Sequence, residues 1–252
     1  MKQIILATGV DYPYYQRSIF QNYIKSIMQN SNFDKNYVIL LDMIPDKPSD
    51  QNIEYTTASI SQMECLTTIN CLQHGEFLKA GGFENIEDSD IILYSDGDMS
   101  LQRGLSSTER AFLTQLGDNE VFVGYNASPT DSLQDEAHRI AFTGYQAPSI
   151  VGSFDKIKIY NTGVLCMNKA TWVKLTEKYI ELFPEIDKMF GHVAKQQWLI
   201  SYIIGTRDFK IHEMPYDFHN HTHYASPAGT TIDEHGVVSY NNSVVLFKHR
   251  WI

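Results

Sequence analysis

Asp90-Ile-Ile-Leu-Tyr-Ser-Asp-Gly-Asp98 is the stretch on which the fold turns. Ile91–Tyr94 is a short apolar run of the kind that forms a buried strand. It ends in two carboxylates, Asp96 and Asp98, separated by Gly97. Hard divalent cations take oxygen ligands and often share them with phosphates. In an isolated loop the same three residues would read as a solvated turn. At the carboxyl end of a buried strand they read as a ligand site, because open α/β sheets bind ligands there. Gly97 permits tight chain reversal and close approach of a ligand.

Working outward, Ile4–Ala7 reads as a strand running into Thr8-Gly9, and Tyr14–Met28 as a helix with apolar residues at helical spacing. Tyr37–Leu41 reads as the next strand. Cys65, Leu66, Ile69 and Leu72 mark a helix running to Lys79, stopped by Gly81-Gly82. Val121–Val123 reads as a further strand. This alternation predicts an α/β fold: a mainly parallel sheet with helices on both faces. Ligand-contacting residues are then expected at Thr8–Asp11 and Ser95–Asp98. In the second half, Lys158–Tyr160 and Val164–Met167 read as strands around an Asn161-Thr162-Gly163 turn. Trp172–Phe183 and Val193–Ile204 read as helices. Residues 213–243 show little periodicity and read as a long loop of the lid or binding type.

The composition excludes several classes. With 43% hydrophobic residues and a formal charge of −10 over 252 residues, the chain is too apolar to be disordered. It is also too acidic for a protein that relies on phosphate contacts with nucleic acid. The acid excess is lopsided: residues 1–125 hold 8 Lys+Arg against 17 Asp+Glu, and residues 126–252 hold 12 against 13. Cys65, Cys71 and Cys166 are too few and scattered for a disulfide framework and read as buried thiols. The apolar run after Lys2 is too short for a signal peptide or a membrane span. The expectation is a soluble protein of a reducing cytoplasm, able to meet a lipid-linked substrate at a membrane surface.

Three further groups carry chemistry. Asn161, Thr162 and Gly163 offer short polar groups and an approachable backbone, although the same residues suit a structural turn. Lys195-Gln196-Gln197-Trp198 begins a helix with neutral amides, which bond a sugar without acting as a base. Six of the nine histidines lie between residues 212 and 249. His219, His221 and His223 alternate. On a strand they would share a face, as metal ligands, acceptor contacts or a polar surface. No neighbouring carboxylate spacing matches a zinc hydrolase. His249 follows the apolar run Val244–Phe247, and a neutral imidazole there completes a metal site with Asp96 and Asp98. Lys248 and Arg250 flank it as diphosphate contacts.

Taken together, these segments resemble the nucleotide-sugar glycosyltransferases of the GT-A (Rossmann-like) fold. Among them the chain is most similar to the glycogenin and lipopolysaccharide-galactosyltransferase type, the retaining family-eight enzymes. The start Ile-Leu-Ala-Thr-Gly-Val-Asp-Tyr looks like that family's nucleoside-binding first strand, which implies donor contacts at Ala7, Thr8 and Asp11. Lys79 falls where a basic donor contact is common. Leu-Tyr-Ser-Asp-Gly-Asp matches the metal motif, with Ser95, Asp96 and Gly97 on the donor and Asp96, Asp98 and His249 on the metal. Asn-Thr-Gly-Val-Leu-Cys-Met-Asn resembles the family's Asn-Ala-Gly-Val-Leu element, which places Asn161 in the active site. Gln196 takes the amide position under the anomeric carbon, although Lys195 and Gln197 stand where the family has acids.

The resemblance implies one domain over 1–252. Its nucleotide-binding half is 1–125 and its acceptor-binding half is 126–252, with a smaller acceptor-side subregion and a lid at about 213–243. It implies Mn²⁺ or Mg²⁺ as cofactor, a nucleotide-diphosphate sugar as donor with UDP favoured, and a glycan or glycolipid as acceptor. The acceptor would be contacted by His219, His221, His223 and Tyr224. Retention is the expected outcome. Inversion, or a non-catalytic sugar-nucleotide-binding protein, stands as the alternative. A nucleotidyltransferase is disfavoured because Thr8–Arg17 has one glycine and no Gly-rich basic loop.

Overall fold

The computed structural model describes residues 2–41, 50, 52–58, 86–126, 130–136, 156–190, 195–221 and 227–249. Its centre is β1 (Ile4–Asp11), an apolar strand paired in parallel with β2 (Lys35–Leu41) on one side and β4 (Ile91–Ser95) on the other. A strand with parallel neighbours on both edges is covered on both faces, which is why Ile4-Ile5-Leu6-Ala7 is apolar without alternation. The full sheet runs β3-β2-β1-β4-β7-β6-β8, with β3 at Glu54–Ala58, β6 at Glu120–Tyr125, β7 at Tyr160–Asn168 and β8 at Lys210–Met214. Only β7 runs against the others, pairing antiparallel with both β4 and β6. The α/β expectation of a mainly parallel sheet therefore holds.

Helices cover both faces. On one, α2 (Ser18–Asn30, after the short α1 at Tyr12–Tyr15) sets Phe20, Tyr23, Ile24 and Ile27 against Ile4, Leu6, Ile91 and Leu93. The nine-residue α3 (Ser107–Gln115) adds Leu113 to the same core. On the other face, α4 (Lys169–Phe190) and α5 (Lys195–Thr206) bring Trp172, Leu175, Trp198 and Ile203 against Ile5, Ile92 and Tyr94. Successive β1 residues thus feed opposite cores, as the two-residue period of a strand requires.

Two readings are corrected. Asn161-Thr162-Gly163 is no turn between two strands: β7 is continuous from Tyr160 to Asn168. The ladder absorbs the polar residues through a register shift opposite Val123 and Gly124. Residues 213–243 are not one unbroken loop. They include the end of β8, β9 (His219–His221), β10 (Thr230–Ile232), β11 (Val238–Tyr240) and the start of β12 (Ser243–Val244). Strands of two or three residues are too short to leave a readable period. β10, β11 and β12 form a small antiparallel sheet. β5 (Met99–Leu101), β13 (Phe247–His249) and β9 form a small mixed sheet, β13 running antiparallel to β5 and parallel to β9.

Cys166 is a buried free thiol. Cys65 and Cys71, with the helix expected around them, lie outside the described residues. Among the described residues no helix is long and apolar enough to cross a membrane.

Candidate active site and metal centre

The site is assembled by two crossings of the chain. First, β4 ends at Ser95 opposite Val164 of β7, and the Asp96 amide continues the ladder by donating to the Gly163 carbonyl at 2.8 Å. The chain then turns at Gly97. A Cβ there would lie 2.9 Å from Val10 and 3.1 Å from Phe20 and Tyr14, so the turn is pressed against β1 and α2 as only glycine allows. Second, β5 leaves the turn and pairs antiparallel with β13, placing His249 opposite Met99. That register brings the imidazole beside Asp98, with His249 Nε2 to Asp98 Oδ1 at 3.4 Å.

Asp96, Asp98 and His249 each present a ligand atom, and these lie within 4.8 Å of one another. Two carboxylate oxygens and an imidazole nitrogen at that spacing fit a divalent cation. His249 is 5% exposed, and the two aspartates are half-buried. The Asp96 carboxyl is pushed up to about 6, first by loss of water and then by the Asp98 charge. The Tyr94 hydroxyl, donating to Asp96 Oδ1 at 2.6 Å, and the nearby His249 partly offset this. A bound cation would relieve the repulsion between the two carboxylates.

Around this centre the expected residues fall as follows. Ala7 and Thr8 are buried toward the carboxyl end of β1. The Thr8 hydroxyl has no hydrogen-bond partner among the described residues. Such a buried group costs about 1–3 kcal/mol, which a polar ligand would recover. Asp11 closes β1. Ser95 is fully buried, and its hydroxyl bonds the Tyr23 hydroxyl at the base of the site. The Asn161 Oδ1 accepts from the Gly163 amide at 2.8 Å. Gln196 lies in the first turn of α5. Its neighbour Gln197 donates to Asn126 Oδ1 at 3.1 Å, and Ser201 Oγ accepts from the Tyr160 amide at 3.0 Å. These bonds set the start of α5 at the carboxyl end of β6, the edge that also carries Asp96.

Other candidates are placed differently. Lys248 donates its Nζ to the Gly236 carbonyl at 3.0 Å. His219 is 2% exposed and its ring stacks on His249. His221 pairs in register with His249 on the neighbouring strand. Lys79, His223, Tyr224 and Arg250 lie outside the described residues. Tyr94, Tyr23 and Met99 were missed by motif reading. Strand parity would have found Tyr94, which sits two residues before Asp96 and hence on its face.

No protein-family model matches this sequence, and no curated protein sequence matches it. Solved structures do. The chain is similar to an active-site glutamine-to-glutamate variant of LgtC, with TM-score 0.60 and 17% identity, covering 97% of this chain and 86% of that one. It is also similar to the galactosyltransferase LgtC in complex with donor and acceptor sugar analogs, with TM-score 0.55, 16% identity and the same coverage. The architecture is therefore the GT-A, Rossmann-like fold that the motifs implied.

Proposed function

We propose that the protein is a metal-dependent glycosyltransferase that moves a sugar from a nucleotide diphosphate to a hydroxyl of a glycan or glycolipid, with retention. The observation carrying this reading is the convergence of Asp96, Asp98 and His249 at the carboxyl edge of a GT-A sheet. The likeness to a galactosyltransferase with donor and acceptor analogs supports the substrate class.

Asp98 and His249 would hold Mn²⁺ or Mg²⁺, with Asp96 shared between the ion and the ribose. Mn²⁺ suits the imidazole better than Mg²⁺ does. When bound, such an ion offsets negative charge on a leaving diphosphate. Ala7, Thr8 and Asp11 would hold the nucleoside, with UDP favoured, and Lys79 the donor. Arg250, or Lys248 once released from Gly236, would meet the diphosphate oxygens.

Gln196 would sit under the anomeric carbon with Asn161 nearby; the active-site glutamine of LgtC supports that placement. An amide cannot take a proton, so the leaving phosphate would accept the acceptor's proton on the same face, giving retention. An inverting enzyme needs a carboxylate base near the acceptor, and Asp131, Asp217 and Asp233 are the available candidates. Proton NMR of product formed from a UDP-hexose tests the stereochemistry. The donor's anomeric configuration is expected in the product, and the opposite configuration would remove the retaining reading.

A further inference from the structure

We propose that His219 is a positioning residue for the metal ligand His249, seated by Gly124. The inference rests on the metal site proposed above.

Three observations carry it. His219 lies in β9, which pairs in parallel with β13, the strand of His249. The two imidazole rings lie with centroids 5.8 Å apart and planes at 25°, an offset stack. His219 is nearly inaccessible at 2% exposure, so its ring cannot swing aside without disturbing the packing around it. Gly124 supplies the third observation. A Cβ at this position would lie 3.0 Å from His219 Nδ1. Glycine weakens a strand interior and commonly marks a close approach. Here the thing approached is the imidazole, at the irregularity where β6 shifts register against β7.

A glycine inside a strand is an unfavourable choice. It becomes intelligible if the flat ring it admits must be held against His249. A metal-binding imidazole works only when its nitrogen is aimed, and groups that orient such ligands typically change metal affinity by about 10- to 100-fold. A flat ring against His249 limits rotation about its χ2 without using the nitrogen that faces Asp98.

The test is Mn²⁺ binding, followed by electron paramagnetic resonance of the free ion, with thermal melting as a check on folding. His219→Ala should bind Mn²⁺ about ten-fold more weakly than the unaltered protein. His219→Phe keeps a flat ring and should bind within about two-fold of it, as the stacking account requires. Gly124→Ala, which crowds the ring while leaving it in place, should weaken binding at least about three-fold and serves if His219→Ala does not fold. Equal affinity for His219→Ala or Gly124→Ala and the unaltered protein would overturn the inference. So would a His219→Phe variant as weak as His219→Ala. If the unaltered protein itself bound no Mn²⁺, the metal reading would fall, and the positioning role with it. The two failures are thus distinguishable.

Discussion

Gly163 packs directly against Asp96. Its carbonyl accepts the Asp96 amide at 2.8 Å, and a Cβ on it would stand 3.1 Å from Asp96 Oδ2 and 2.9 Å from Asn161 Oδ1 and Met99 Cε. The reversed strand β7 thus braces the metal turn from one side while β1 and α2 brace it from the other.

Gly163→Ala follows directly. Met99 is flexible and can move, but the Asn161 amide must give up its bond to the Gly163 N–H or the Asp96 carboxylate must shift. Overpacking of this kind costs about 1–3 kcal/mol of stability. Mn²⁺ affinity should fall about ten-fold, the scale for a displaced support of a ligand. Calorimetric titration that finds unchanged affinity would contradict the bracing role.

The Asp96 carboxyl gives a pH dependence with a definite sign. Its folded value, about 6, is raised above the ordinary 3.8, chiefly by loss of water. In the metal-free protein this group therefore favours the fold most below its ordinary value, and that contribution is lost as pH rises through about 6. Metal binding needs the carboxylate, so the proton competes. Through this group Mn²⁺ affinity should be flat above about pH 6 and fall toward about ten-fold per unit below it. Titrations at several pH values would contradict this if affinity were unchanged below pH 6.

Asp98→Ala removes one of the three proposed ligands and takes away the carboxylate 3.4 Å from His249 Nε2. Mn²⁺-stimulated hydrolysis of a UDP-sugar should drop by at least about a hundred-fold, since the ion's charge stabilisation amounts to several kcal/mol. A rate within two-fold of the unaltered protein would remove Asp98 from the site.

Ser106→Ala serves as a remote control. Ser106 caps α3, accepting from the Glu109 amide at 3.2 Å while the Glu109 carboxylate accepts from the Ser106 amide at 2.7 Å. Losing the cap should cost about 1 kcal/mol in urea unfolding, with Mn²⁺ affinity untouched. A large loss of affinity would show that the metal turn responds to general weakening of the fold.

The inner strands β1, β2, β4 and β6 were legible because burial on both faces leaves an uninterrupted apolar run, as in Ile4–Ala7 and Ile91–Tyr94, whereas the more polar edge strands β3 and β8 were not read as strands. The convergence of Asp96, Asp98 and His249 was expected only through motif resemblance, since Asp98 and His249 are far apart in sequence. What joins them is the pairing of β5 with β13, two three-residue strands whose partnership depends on tertiary contacts. Gly163 was visible as a residue that lets a backbone approach, but not as part of a continuous strand, because its polar neighbours mimic turn chemistry. The His219 stack was hidden for a further reason. His-x-His-x-His suggests one shared face, whereas what His219 meets depends on the strand lying beside it.

The central claim is that the three ligands create a metal-dependent nucleotide-sugar site. Calorimetric titration of UDP-galactose and UDP-glucose, with Mn²⁺ and with chelator, tests it most directly. At least one should bind saturably with Mn²⁺ and about a hundred-fold more weakly or not at all in chelator, as expected if the ion carries the diphosphate contact. Equal binding in chelator, or no binding of either sugar nucleotide with Mn²⁺ present, would contradict the account.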